Sequence, residues 1–445
     1  MTTTYDPYHP KYFDESDLRE ELDRVYDLCH GCRLCFKFCS SFPTMFDYID
    51  ADPNQDASTM TPAQQDQVVD ECFQCKLCYV NCPYIPGQSE WNLDFPRLMM
   101  RADQVLFRNR KRSVGTRLTD LALGRTDLAG TVGSAVAPLA NKVVTQPNSP
   151  GRKAMEATVG IASQRILPPY SKTRFSTWFS KHHTERLGQD RRGDVLVFAT
   201  CLVEYQDAQV GRDLVAVYER NGIGCSVPEG QRCCGAPVLH QGDVDGFVKV
   251  ARKNVAVLTK AIRDAKVNGQ DPAIVVPEPT CGYVLKNDYV DYVGGPDAEL
   301  VAEHTFDACE YLMSVHKEDK AQGGEGLDTN FTGTIPETTT YHAPCHLRAQ
   351  NVGMKSRDLI KLTGTKVTLV AECSGIDGTW GLRAENVDAA RKVAKKMAAA
   401  IEKADSEAVA GDCTLANGGI ELETGRTPQH PLSLVARAYG IRQEP

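Results

Sequence analysis

From position 194 onward, short apolar runs alternate with longer stretches whose apolar residues recur every three or four positions. Strands alternating with amphipathic helices in this way predict a parallel α/β sheet. The runs 194–200, 273–277, 338–342, 367–370 and 408–410 read as strands, with a weaker one around Ser226 and Val227. Between them, 205–220 places Val210, Leu214, Val217 and Tyr218 along one helical stripe and stops at Asn221-Gly222, a left-handed cap. The stretch 243–267 carries Phe247, Val248, Val255, Leu258 and Ile262, and 383–403 carries Val387, Ala390, Val393, Ala394, Met397 and Ile401. The order strand, helix, strand, helix, strand occurs twice, and the acidic, glycine-rich stretch 318–337 lies between the copies. The chain therefore divides into a mainly helical segment at 1–103, a connector with helical pieces at 104–192, a first α/β repeat at 193–317, a linker at 318–337 and a second repeat at 338–445. The fold class is α+β, multi-domain.

The helical N-terminal segment carries one cysteine spacing twice: Cys29-x-x-Cys32-x-x-Cys35-x-x-x-Cys39, then Cys72-x-x-Cys75-x-x-Cys78-x-x-x-Cys82-Pro83. Three cysteines spaced by two residues wrap one corner of a [4Fe-4S] cube, and the fourth, thrown clear by a longer gap, ligates the neighbouring cluster. On that rule Cys29, Cys32, Cys35 and Cys82 hold one cluster, and Cys72, Cys75, Cys78 and Cys39 hold the other. This is a ferredoxin-like module, and electron transfer is the function it points to. The first copy lacks the proline after its fourth cysteine and reads Cys39-Ser40-Ser41-Phe42-Pro43, so its exit turn differs. A structural zinc site with four thiolates normally uses two C-x-x-C pairs separated by a spacer, which fits this spacing less well.

Composition narrows the setting. The chain has 445 residues, 42% of them hydrophobic and 24% charged, enough for several packed domains. Its start is acidic, with Asp14, Glu15, Asp17, Glu20 and Glu21, so no signal peptide is expected, and 17 cysteines suit a reducing compartment. The expected location is cytoplasmic. The most apolar stretch, 128–144, is interrupted by Ser134, Pro138, Asn141 and Lys142 and does not span a bilayer. The net charge of −8 is unevenly spread: 104–184 holds 13 Lys or Arg against Asp120, Asp127 and Glu156. Such a basic connector suits peripheral contact with an anionic membrane, on the inner face of the cytoplasmic membrane, or with an acidic partner protein; the bland alternative is a solvated linker. Nucleic acid is not expected as a partner, because these basic residues form no nucleic-acid module.

The predicted strands of the second half end on seven cysteines, Cys201, Cys233, Cys234, Cys281, Cys345, Cys373 and Cys413. In parallel sheets ligands bind at the carboxyl ends of strands, so these cysteines gather at the chemically useful edge. Aligned as repeats, Cys201, Cys233-Cys234-Gly235 and Cys281 correspond to Cys345, Cys373-Ser374-Gly375 and Cys413. These resemble the CCG, or cysteine-rich, repeats found in heterodisulfide reductase catalytic subunits, in glycolate oxidase iron-sulfur subunits and in the CCG-bearing subunit of anaerobic glycerol-3-phosphate dehydrogenase. The likeness to the last group extends to the two-cubane module and to the aromatic end of the connector, Arg174-Phe175-Ser-Thr-Trp178-Phe179. It includes the phrases His342-Ala-Pro-Cys345-His346-Leu347-Arg348 and Cys373-Ser-Gly375-Ile-Asp-Gly378-Thr-Trp380-Gly381.

The resemblance implies one or two further iron-sulfur centres. The first would use Cys201, Cys233, Cys234 and Cys281, and the second Cys345, Cys373 and Cys413, helped by His346; an empty second repeat is the alternative. Heterodisulfide reductases close each repeat with C-x-x-C, but here Cys281 is followed by Gly282-Tyr283-Val284 and Cys413 by Thr414-Leu415-Ala416, and Ser374 replaces one cysteine. Disulfide reduction is therefore not carried over. Cys225 and Cys309 fall outside the motifs and read as buried small hydrophobes. His240 and His342 sit where they would tune a cluster or satisfy backbone, Tyr283 and Trp380 read as packing, and His182-His183 as connector surface. No dinucleotide fingerprint or phosphate loop is found, so a substrate-oxidising flavin belongs on another polypeptide. The expected function is an iron-sulfur oxidoreductase component that relays electrons between a flavoprotein dehydrogenase subunit, or another redox protein, and an acceptor such as membrane quinone. The alternatives are a reductase for a soluble thiol, disulfide or peroxide-scavenging partner protein and, from a different class, a non-redox zinc scaffold.

Overall fold

The computed structural model describes residues 5–109, 113–182, 192–376 and 378–441. His183 and the basic residues Arg110, Lys111 and Arg112 lie outside these.

The N-terminal segment is a helical bundle. Helix α1 (Glu15–Cys32) starts where the Asp14 carboxylate accepts the Asp17 N–H at 2.9 Å, and it turns Leu18, Leu22, Val25 and Tyr26 inward. Helices α2 (Ser41–Asp50), α3 (Pro62–Asp70) and the single turn α4 (Leu77–Val80) lead to α5 (Phe95–Asn109). Phe42, Met45, Ile49, Val68, Leu98, Met99 and Val105 join the same core. The fully buried Arg101 of α5 ties the N-terminal arm down, donating to the carbonyls of Tyr12 and Lys11 and to Asp17.

The connector folds as four helices, α6 (Val114–Gly124), α7 (Thr126–Ala135), α8 (Ala137–Val144) and α9 (Pro150–Val159), followed by the short α10 (Phe175–Phe179). It is docked rather than slack. A Cβ at Gly130 on α7 would run into the Tyr205 ring, so only glycine permits this approach. Asp120 pairs with Arg383, and the buried Arg165 donates to the carbonyls of Gly381 and Gly375. His182 stacks on Trp178 and pairs with Glu219.

The first repeat is a parallel sheet of β1 (Gly193–Val197), β2 (Ile223–Ser226), β3 (Ala273–Val276) and β4 (Thr305–Asp307), ordered β2-β1-β3-β4. Helix Ala208–Arg220 covers one face through Val210, Leu214 and Val217, and helix Val244–Val267 covers the other through Phe247, Ala251, Leu258 and Ile262. Burial on both faces explains why these strands read as continuous apolar runs. The second repeat is a three-stranded parallel sheet of β5 (Thr338–His342), β6 (Lys366–Val370) and β7 (Ala408–Gly411), ordered β6-β5-β7.

The two repeats share a core. Leu432, Val435 and Ala436 of the last helix, Pro431–Ala438, pack among the first-repeat residues Leu214 and Val217, and the Ser433 hydroxyl donates to Asp213. The intervening 318–337 stretch begins as the end of helix Ala308–Ala321, buries Leu327 and stacks Phe331 on Tyr439.

Candidate metal centres

Both N-terminal cysteine loops bend through left-handed residues. Arg33, after Cys32, has φ 52°, and its counterpart Lys76, after Cys75, has φ 62°; Gln74 adds φ 49°. Three non-glycine residues in this region, at roughly 1–2 kcal/mol each, indicate a conformation that its surroundings hold in place. Lys76 is nearly buried, its ammonium donating to the Gln74 side chain at 2.6 Å.

The sulfurs fall into two sets. Cys29, Cys32, Cys35 and Cys82 line one small cavity; Cys39, Cys72, Cys75 and Cys78 line another, and Phe42 lies between them as a wall of both. Each fourth cysteine thus crosses to the other loop's pocket. Burial and crowding by the other three sulfurs hold the Cys29 thiol well above its usual range, and Cys35 and Cys39 are pushed up to about 12 by burial and neighbouring cysteines. Four clustered thiols that repel as thiolates are a donor set suited to a cationic iron core, which takes the place of the protons. The residues fit a [4Fe-4S] cube in each pocket.

In the first repeat, Cys201 opens a helix capped by Thr200, whose hydroxyl accepts the Val203 N–H at 3.3 Å. Cys233 and Cys234 are followed by Gly235 at φ 95°, where a Cβ would stand 2.7 Å from the Phe247 ring. The Cys201 and Cys233 sulfurs are 3.9 Å apart, and those of Cys234 and Cys281 are 3.2 Å apart. The loop is clamped from outside the motif. Buried Asn254 donates to the carbonyls of Arg232 and Cys233 and accepts the Arg232 N–H; the Tyr289 hydroxyl donates to the Cys234 carbonyl at 3.0 Å. Asp127 of the connector accepts the Cys233 N–H at 3.1 Å. None of these three carries a motif signal; only their contacts reveal them.

The four sulfurs border a cavity of about 210 Å³ whose opposite wall is connector, including Leu123, Gly130 and Leu167. Cys413 lines the same cavity, whereas Cys345 and Cys373 are not among its lining residues. Glu278, also in the wall, accepts from the Thr414 N–H and hydroxyl, and burial pushes its carboxyl up to about 8.

Cys345 and Cys373 lie against the N-terminal module. Cys345 lies beside both Cys75 and Cys373, and its interaction with Cys75 draws that thiol down to about 7. Gly375 N–H donates to Cys373 at 3.4 Å. The neighbouring His346 has both ring nitrogens engaged: Nε2 is 2.9 Å from the Gln74 carbonyl and Nδ1 is 2.8 Å from the Thr280 hydroxyl. Nε2 therefore carries the proton, and His346 is a strut rather than the extra ligand expected of it. Burial lowers its pKa to about 4 and keeps it neutral. His240 lines the cavity of the first-repeat sulfurs, and His342 bonds the Glu372 carbonyl. Trp380 donates to the Asp70 carbonyl and packs on Phe73, so this ring fastens the second repeat to the N-terminal module. Cys309 is core, and Cys225 packs beside it.

Comparison with known proteins matches these regions. A 4Fe-4S dicluster domain model covers residues 28–85, and a cysteine-rich domain model covers 195–286 and 339–415. The chain is 27% identical over 323 residues to a subunit of anaerobic glycerol-3-phosphate dehydrogenase of Escherichia coli, covering 72% of this chain and 77% of that protein. It is 28% identical over 258 residues to a subunit of fumarate reductase (CoM/CoB) of Methanothermobacter marburgensis, covering 57% of this chain and 47% of the relative. Lactate utilization protein A of Geobacillus kaustophilus is 27% identical over 245 residues, 52% of this chain and 93% of its own. With two four-sulfur pockets, a further sulfur-lined cavity and these relatives, the chain combines a 4Fe-4S dicluster domain with two cysteine-rich (CCG) domains and is an iron-sulfur electron-transfer component of an oxidoreductase, with two [4Fe-4S] clusters and further iron-sulfur chemistry in its CCG half.

Proposed function

We propose that electrons pass from a flavoprotein dehydrogenase partner through the two cubanes to a CCG centre, and from there to a lipophilic acceptor such as membrane quinone. Cys29, Cys32, Cys35 and Cys82 ligate the first cubane, Cys39, Cys72, Cys75 and Cys78 the second, and Cys201, Cys233, Cys234 and Cys281 the CCG centre. The observation that carries this order is the His346 strut: it joins Gln74, between two ligands of the second cubane, to Thr280, which precedes Cys281. Such a bonded bridge fixes the spacing between donor and acceptor. The partner assignment follows the relatives, which are subunits of larger oxidoreductases.

Peripheral membrane contact is proposed through α6–α8. These helices expose Val114, Leu118, Leu121, Leu128, Val132 and Leu139 within the 104–184 connector, whose excess of Lys and Arg lies mostly on either side of them, and among the described residues no helix is long and apolar enough to cross a membrane. The test is anaerobic reoxidation of the dithionite-reduced protein by a short-chain quinone. Wild type reoxidises all its clusters, while Cys281→Ala leaves the cubanes reduced; equal rates in the two would sink the relay order. Sedimentation with anionic vesicles that persists after Leu128→Glu plus Leu139→Glu would sink the membrane surface.

One observation favours a second reading. Cys345 and Cys373 are neighbours beside Cys75 and outside the cavity of the other CCG sulfurs. A disulfide between them would take two electrons, one at a time, and two protons to give two thiols, which by exchange would reduce the disulfide of a soluble partner to two thiols and return to the disulfide.

A further inference from the structure

We propose that Cys413, from the second repeat, is the fifth sulfur donor of the first-repeat centre, so that the two repeats build one iron-sulfur site between them. This rests on the reading that Cys201, Cys233, Cys234 and Cys281 hold such a centre.

The first repeat cannot supply a fifth sulfur itself. The position three past Cys281 is Val284, buried in the apolar core with Leu285 and Phe247. Cys413 stands in its place from across the cavity. It follows β7 and caps helix Thr414–Thr424, lining the same space as the other four sulfurs.

Two buried contacts hold it there. Glu278, three residues before Cys281, accepts both the N–H and the hydroxyl of Thr414, the residue after Cys413. His430 Nε2 lies 3.0 Å from the Pro277 carbonyl, and its Nδ1 accepts the Leu432 N–H, so Nε2 is the donor. The end of β3 and the end of β7 are thereby strapped together at the residues that flank Cys281 and Cys413. The rest of the second-repeat set stands apart from Cys413, because Cys345 and Cys373 are not among the residues lining that cavity. Five soft sulfurs lining one cavity favour an iron-sulfur cluster over a single harder cation.

The test uses the full-length protein, purified and reconstituted without air, with iron and acid-labile sulfide counted per chain. Low-temperature electron paramagnetic resonance follows, under graded reduction. Cys281→Ala defines the signal of the first-repeat centre. Cys413→Ala is expected to abolish that same signal and to lower the count toward the about eight irons of two cubanes. The near-isosteric Cys413→Ser guards against misfolding; it is expected to keep the far-ultraviolet dichroism of wild type and to shift the signal. Cys345→Ala and Cys373→Ala are expected to leave the signal in place. The proposal is overturned if Cys413→Ala and Cys413→Ser keep the wild-type signal and iron content. It is equally overturned if Cys413, Cys345 and Cys373 variants all remove a separate signal that survives Cys281→Ala. If Cys281→Ala itself changes neither iron nor spectrum, it is the underlying assignment of the first-repeat centre that fails.

Discussion

Replacing His346 with alanine removes a side chain that bonds the second cubane loop to the first repeat. The ring is buried, with Nε2–H donating to the Gln74 carbonyl at 2.9 Å and Nδ1 accepting from the Thr280 hydroxyl at 2.8 Å. Without it, a buried carbonyl and a half-buried hydroxyl lose their partners, and such a loss costs about 1–3 kcal/mol where water cannot replace it. The Thr280 hydroxyl rotates and recovers part of its share, while the vacated imidazole volume adds a packing cost, so the sum is about 2–4 kcal/mol. That is a large part of the roughly 5–15 kcal/mol by which domains are stable. Chemical denaturation of the anaerobic holoprotein should therefore show a lower midpoint for His346→Ala. His346→Gln, which keeps an amide N–H to offer the Gln74 carbonyl, should recover part of the loss. Because the imidazole is a strut, iron and sulfide content should stay at the wild-type value, while electron exchange between the cubanes and the CCG half slows. An unchanged midpoint together with lost iron would refute the reasoning and make His346 a ligand.

Three further outcomes are expected. His342, His346 and His430 are each held at about 4 by burial, below the ordinary 6.5 of histidine. The unfolded chain then binds more protons between those values, so each contributes stability that is intact above pH 6.5 and falls by about 1.4 kcal/mol per unit on acidification toward pH 4; buried carboxyls such as Glu278 titrate with the opposite sign in the same window, so the check is the slope removed by His430→Gln relative to wild type, and an unchanged slope would contradict it. Glu278 has the opposite sign, because its folded value of about 8 exceeds the ordinary 4.5, and stability is lost as pH rises between them. Glu278→Gln should flatten that alkaline slope by about 1.4 kcal/mol per unit, read from the same titration. Leu432→Ala, at a fully buried site of the shared core, should cost about 2–5 kcal/mol and lower both repeats in one transition, with two separated transitions as the contrary result.

The parts of the fold written in local pattern were legible. The helix stripe of Val210, Leu214 and Val217 and the strand before Cys281 appear within a few residues of where periodicity puts them, because burial on a sheet face imposes that periodicity. Strand β4 has only three residues, too short for any alternation to register. The paired cysteine spacings pointed to two four-sulfur pockets, since a loop of fixed length around a cube leaves few alternatives. Long-range partners were not legible. Asn254, Asp127 and Glu278 are ordinary polar residues on helices and strand ends until folding places each against a cysteine loop.

Cys413 shows why counting by repeats misleads in an interlocked pair. Repeat alignment assigns each cysteine to the copy that encodes it, as if the copies folded apart. Here the last helix, carrying Leu432 and Val435, completes the first repeat's core, and Ser433 bonds Asp213 across the same seam. Once that helix is anchored, the segment leading into it is drawn toward β3. The seam is held at Pro277 and Glu278, which brings the end of β7 beside Cys281. The hydrophobic burial that joins the repeats thus also decides which sulfurs share a cavity, and a polar or cavity-forming change in the shared core should disturb the CCG centre before it disturbs either cubane.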